Sequence, residues 1–196
     1  MLILKTNELG SLIFYPFKRI AAWDAFGVGL VIVVLTTFTG NFAGIYFDGV
    51  IDMHFAENFD NLKSWLMIPV NIISVSVIMW LAGITVSKNF RFIDILGTMT
   101  LSRAPFLLIA LASFFVKVPD LSGIMQDPFV IFDSISFIII LILTFPIIIW
   151  SVTLLYNAYK ISTGASGQKL SISFIFGLVI AEIISKIIIY QIDKFI

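Results

Sequence analysis

Five apolar runs, each about 20 residues long, decide what this chain can fold into, because that length matches the hydrocarbon core of a bilayer. They cover about Ala25 to Ile45, Trp65 to Val86, Ile93 to Val116, Ile135 to Asn157 and Leu170 to Ile192. Soluble helices alternate apolar and polar faces at a 3.6-residue period, whereas these runs are apolar on all sides. Hydrophobic residues make up 60% of the chain and charged residues 12%, against nearer half and a quarter in a soluble domain. A transmembrane β-barrel would alternate in segments of about ten residues, and no such alternation is present. The expected fold is an all-α, polytopic transmembrane bundle of about five helices. Residues 1–24 are read as a cytoplasmic or interfacial leader and 25–196 as one five-span domain. The first run is too long for the apolar part of a signal peptide, so it is read as an uncleaved span.

Lys and Arg in the short loops orient such a bundle. Lys5, Lys18 and Arg19 precede the first run, Lys88 and Arg91 separate the second from the third, and Lys160 and Lys169 separate the fourth from the fifth. The other side holds Lys63, Lys117 and Lys194. This bias places the amino terminus in the cytoplasm and the carboxyl terminus outside, as an odd number of spans requires. Phe14, Tyr15, Phe17 and Trp23 form an aromatic belt before the first run, and Leu12 to Ala22 suggests a short interfacial helix with Lys18 and Arg19 facing anionic lipid.

Charges inside the runs are the candidate site. An ionisable group at the bilayer centre costs roughly 2.5–3.5 kcal/mol on insertion scales, so those that persist usually face the bundle and find partners. Arg103 lies roughly 15 Å into the third run at the helical rise. Glu182 is central in the fifth, with Lys186 one turn later on the same face. Arg103 and Glu182 are expected to pair if those spans pack together, and Asp133 is a second partner for Lys186. Asp94 either joins this polar seam or caps the third span at its N-terminal end. Pro105 is expected to kink the third span and free a carbonyl near Leu101, and Pro69 and Pro146 to act similarly. Gly27, Gly29, Gly40 and Gly44 offer close helix contacts, the last two in a GxxxG pattern.

The loop from Phe47 to Ser64 carries Asp48, Asp52 and His54, followed by Glu57 and Asp60. It is read either as a solvated exit loop or as a metal or proton site formed by Asp48, Asp52 and His54. The spacing lacks the alternating ligands of a calcium loop and the paired histidines of zinc hydrolases. The chain has no cysteine and one histidine, His54, which excludes thiolate metal sites and limits zinc chemistry. No Ser–His couple, phosphate loop or HExxH run is present, so neither an enzyme nor a cofactor is expected. The basic and acidic residues balance at 12 each, so nothing draws the chain to nucleic acid; its expected partners are the bilayer and other membrane proteins.

The stretches FKRIAAWDAFGVGL (Phe17 to Leu30), FDGVIDMHF (Phe47 to Phe55) and RFIDILGTMTLSRAP (Arg91 to Pro105), with the five-span layout over roughly 11–192, resemble the Yip (Ypt/Rab-interacting protein) domain family, its bacterial branch in particular. The resemblance implies five spans, a cytoplasmic amino terminus and a bacterial inner-membrane location. Eukaryotic members take part in vesicle traffic, binding prenylated Rab-type GTPases and each other. Their long cytoplasmic amino-terminal region and their Asp-Leu-Tyr-Gly-Pro type motif do not appear in this sequence, and the resemblance implies no catalytic residue. Two functional expectations follow. One is a non-enzymatic membrane scaffold that associates with itself or other membrane proteins. The other is a small transporter or channel for ions, protons or lipid headgroups, which requires a wet cavity reaching Arg103.

Overall fold

In a computed structural model of the chain, residues 13–56, 59–120 and 127–195 are described. Lys5, Leu12 and Glu57, which entered the expectations above, lie outside them. Among the described residues, six helices account for nearly all the regular structure: α1 (Ala22–Ala43), α2 (Asn61–Ile84), α3 (Phe92–Leu101), α4 (Phe106–Ser113), α5 (Ile135–Thr163) and α6 (Gln168–Ile192). With α3 and α4 taken as one broken span, five segments are long and apolar enough to cross a membrane. Their bounds fall within a few residues of the apolar runs, except that α5 continues to Thr163. There the polar stretch after Asn157 stays helical until Gly164, at φ +64°, turns the chain.

Local chemistry sets the other ends. The Asp60 carboxylate accepts from the Leu62 N–H at 2.8 Å and starts α2. Ser134 accepts from the Phe137 N–H and starts α5. Gly44, at φ +68°, ends α1 with its N–H on the Gly40 carbonyl, a conformation that a side chain disfavours. Pro69 and Pro146 sit inside α2 and α5, which remain continuous helices. Pro105 behaves differently and separates α3 from α4. Across that break, Ala104 donates to Leu101 O and Phe106 to Arg103 O, both at 3.0 Å. The Leu101 carbonyl that proline cannot serve is therefore taken up locally by a tighter turn.

The broken span is the centre of the bundle: 67% of its most apolar 18-residue stretch is buried, against 22% for that of α5. α1 lies along α3 and α4, α2 along α6 and α3, and α5 against α3 and α4. Ile95, Met99, Val75, Met79, Leu155 and Tyr159 meet in the main core. Gly29 and Gly97 bring α1 and α3 together. A Cβ at Gly29 would lie 2.6 Å from the Leu101 backbone nitrogen, and one at Gly97 would overlap the Ala22 carbonyl oxygen. The GxxxG pair has other uses: Gly40 faces the Phe47 ring, Gly44 is the cap, and Gly27 meets open space.

Outward surfaces are apolar, with Trp23, Phe38, Phe42, Ile142, Phe145 and Phe176 all more than half exposed. An apolar exterior of this extent is untenable in water. Together with five helices of spanning length, it makes the chain a multi-pass integral membrane protein. Of the segment expected as an interfacial helix, the described part begins with helical Ile13 and Phe14. It forms a 3-10 turn at Pro16–Lys18, buries Phe17 to 2% exposure and docks on α5. There Trp150 Nε1 donates to Ile13 O at 3.1 Å and Asn157 Nδ2 to Phe14 O at 2.9 Å. Two side chains that seek hydrogen-bond partners at the edge of the bundle hold it as a strap.

The glycine contacts predict an asymmetric response. Gly97→Ala should destabilise the folded chain by about 1–3 kcal/mol through overpacking, lowering the melting temperature in detergent. Gly27→Ala, in open space, should leave it unchanged or slightly raised.

Candidate functional site

The segment after α1 forms the site. Two short antiparallel strands, β1 (Ile45–Tyr46) and β2 (His54–Phe55), pair Ile45 with Phe55 and Tyr46 with His54. They close a hairpin whose tip runs from Phe47 to Met53. The hairpin does not exit into water as a solvated loop. Phe47 is 7% and Val50 1% exposed, and the tip reaches residues central in the third and fifth spans. The Phe47 ring packs on Gly40 and, 5.7 Å between centroids, against Phe106. Non-helical backbone at such depth survives only when protein satisfies its peptide groups.

Three polar side chains do so, Arg103 and Asn71 buried and Glu182 partly buried. Arg103 Nη1 donates to Val50 O at 2.9 Å and Gly49 O at 3.3 Å, and Nη2 to Gly49 O at 3.3 Å. Glu182 Oε2 accepts from the Ile51 N–H at 3.1 Å. Asn71 Nδ2 donates to Phe47 O at 2.7 Å. The Phe106 ring lies 5.2 Å from the guanidinium and adds a cation–π contact. Gly49 makes room here, because a Cβ would overlap Glu182 Oε1 and sit 2.9 Å from Asp52 Cβ.

At the mouth of the hairpin, Lys186 Nζ meets Asp52 Oδ2 at 2.5 Å and Asp48 Oδ2 at 3.3 Å, and His54 Nδ1 lies 3.1 Å from Asp48 Oδ1. Burial favours the neutral Asp48 carboxyl, but the His54 contact and the Lys186 charge outweigh it and hold the group below its ordinary value of 3.8. This latch fixes the hairpin to α6 one turn beyond Glu182.

The expected seam is thus partly assembled and differently wired. Arg103 and Glu182 do not pair directly, because α6 packs along α2 rather than along the third span. The two charges meet instead on the Val50–Ile51 peptide unit, Arg103 at its carbonyl and Glu182 at its N–H. Lys186 binds Asp48 and Asp52 rather than Asp133, which is exposed at the end of a 3-10 turn at Pro128–Asp133. Asp94 is apart from the cluster. It forms a capping box with Arg91, with an ion pair at 2.9 Å, at the start of α3. Asp48, Asp52 and His54 do converge, but around an ammonium. Among the described residues, no group of three His, Cys, Asp or Glu side chains could hold a metal ion. Asn71 escaped the sequence reading, although as the only side-chain amide in the second apolar run it carried the same signal as a buried charge.

Comparison with family models, with curated proteins and with solved structures finds no match to this chain.

Two outcomes follow from the clamp. Arg103→Leu should orphan the Gly49 and Val50 carbonyls at on the order of 1–3 kcal/mol each. Arg103→Lys should restore only part of that loss, since an ammonium lacks the guanidinium fork; chemical denaturation in micelles measures both. The second concerns pH. A depressed Asp48 value means that the latch stabilises the fold above pH 3.8 and is lost as pH falls through the lower folded value. Protease cleavage within 47–53 should therefore stay slow at neutral pH and accelerate only in strong acid. In Lys186→Met the acceleration should begin at higher pH.

Proposed function

We propose that this chain is a non-enzymatic membrane scaffold or interaction protein of the Yip kind, associating with itself or with other membrane proteins in the bacterial inner membrane. The observation that supports this reading is the closed state of the buried charges. Arg103 is 6% exposed, and its guanidinium engages the chain's own carbonyls. Glu182 Oε2 engages the chain's own Ile51 N–H, while its buried Oε1 has no hydrogen-bond partner among the described residues. Charges satisfied in this way hold helices and a hairpin in register and are not offered to a passing substrate. The cavity beside Arg103 measures about 10 Å³, which is room for about one water and far short of a path across the bundle. This counts against the transporter reading, which requires water to reach the seam. In this reading the Lys and Arg bias of the loops favours a cytoplasmic amino terminus, with the hairpin and its acidic latch on the opposite side.

Single cysteines test the proposal cleanly, because the native chain has none. Thr98, Thr100, Ser102 and Ser185 are each at most 1% exposed, and exchange for cysteine is nearly isosteric at the two serines. All four should resist small water-soluble thiol reagents in intact membranes. Labelling at Ser102, beside Arg103, would reject the sealed scaffold and make transport the leading account.

A further inference from the structure

The cavity beside Arg103 has a polar lining that the fold does not fully satisfy. Its walls include Asn71, Arg103, Thr36 and Thr37 together with Val33 and Phe106. Asn71 is wholly buried. Its Nδ2 is engaged by Phe47 O, but its Oδ1 has no partner. A buried acceptor left unpaired costs about 1–3 kcal/mol, and native structures rarely leave one so. Arg103 Nη2 makes one bond, to Gly49 O, and a guanidinium carries five N–H groups in all. The Thr36 and Thr37 hydroxyls donate to Ile32 O and Val33 O one turn back, which leaves their oxygen lone pairs free to accept. A volume of about 10 Å³ with two to four polar partners is the condition under which a cavity holds one water; an apolar void of that size stays dry.

We propose that this cavity is a binding site for a single internal water, which donates to Asn71 Oδ1 and a threonine hydroxyl and accepts from Arg103. The water completes the clamp. It joins α1 and α2 to the Arg103 guanidinium beside the Phe47 ring of the hairpin, so that the charge is solvated both by carbonyls and by one trapped molecule. It also explains an amide in the second span: Asn71 serves the hairpin with one end and the water with the other. The site is independent of the scaffold reading and compatible with a sealed seam, because one enclosed water is not a route.

The test uses the full chain in lipid bilayers, isotopically labelled at Asn, Arg, Thr, Ser and Met, with magnetisation transfer from water read by solid-state nuclear magnetic resonance. Transfer is expected to the Asn71 side-chain amide and the Arg103 guanidinium protons, and not to the Met79 and Met99 amides. No transfer at Asn71 and Arg103 would overturn the water site while leaving the sealed scaffold standing. Transfer extending to Thr98 and Ser102 would overturn both, since it would reveal a wet seam. Val33→Ile adds a methylene to the cavity wall and should abolish the transfer at Asn71 while the remaining spectrum stays native; persistence of that transfer would place its source elsewhere and reject the proposal.

Discussion

The bond between the Arg103 guanidinium and the carbonyls of Gly49 and Val50 is the contact on which the rest of the arrangement depends. A buried cation needs negative partners, and a backbone turn at depth needs donors for its carbonyls. Each requirement is expensive alone, and here each answers the other. Glu182 completes the exchange by taking the Ile51 N–H, the other end of the peptide unit whose carbonyl Arg103 holds. Opposite charges are thereby held near one another without a direct ion pair, and their fields act across the polarised turn between them. Asn71 and Lys186 fasten the two flanks of the same turn.

This arrangement accounts for features that look like faults when taken singly. The break at Ser102 to Pro105 interrupts the most buried span, yet it sits where Arg103 must leave the helical ladder to meet the hairpin. Ser151 Oγ donates to the Ser102 carbonyl at 3.3 Å, so α5 helps satisfy the break from the other side. Gly49 removes the one side chain that would hold Glu182 away. Gly44 turns the chain back at the end of α1 so that the hairpin re-enters rather than leaves. The exterior is correspondingly simple: the most apolar 18-residue stretch, in α5, is also the least buried of the five.

Helix number, approximate bounds and the all-α class were legible in the sequence because run length and all-round apolarity are direct readouts of a bilayer solvent. The importance of Arg103, Glu182 and Lys186 was legible for the same reason, since charge in an apolar run needs an explanation. Their wiring was not. Span periodicity says which residues are deep but not which helices are neighbours, so Arg103 was matched to Glu182 by depth alone and Lys186 to Asp133. The hairpin was the larger surprise. FDGVIDMHF has the polarity of an exit loop, and only its alternation of Phe47, Val50 and Ile51 with acids hints that one side is buried. Asp94 could be read either way, and the nearby Arg91 decides for a cap.

Amide hydrogen exchange across residues 47–52 in the native chain, reconstituted in bilayers, addresses the central claim most directly. A re-entrant hairpin clamped by Arg103 and Glu182 should protect the Ile51 amide as strongly as amides in the middle of α3, with protection lost in Arg103→Leu. Rapid exchange of the Ile51 amide in the native chain, at the rate of an open loop, would contradict the clamp and return the acidic segment to solvent.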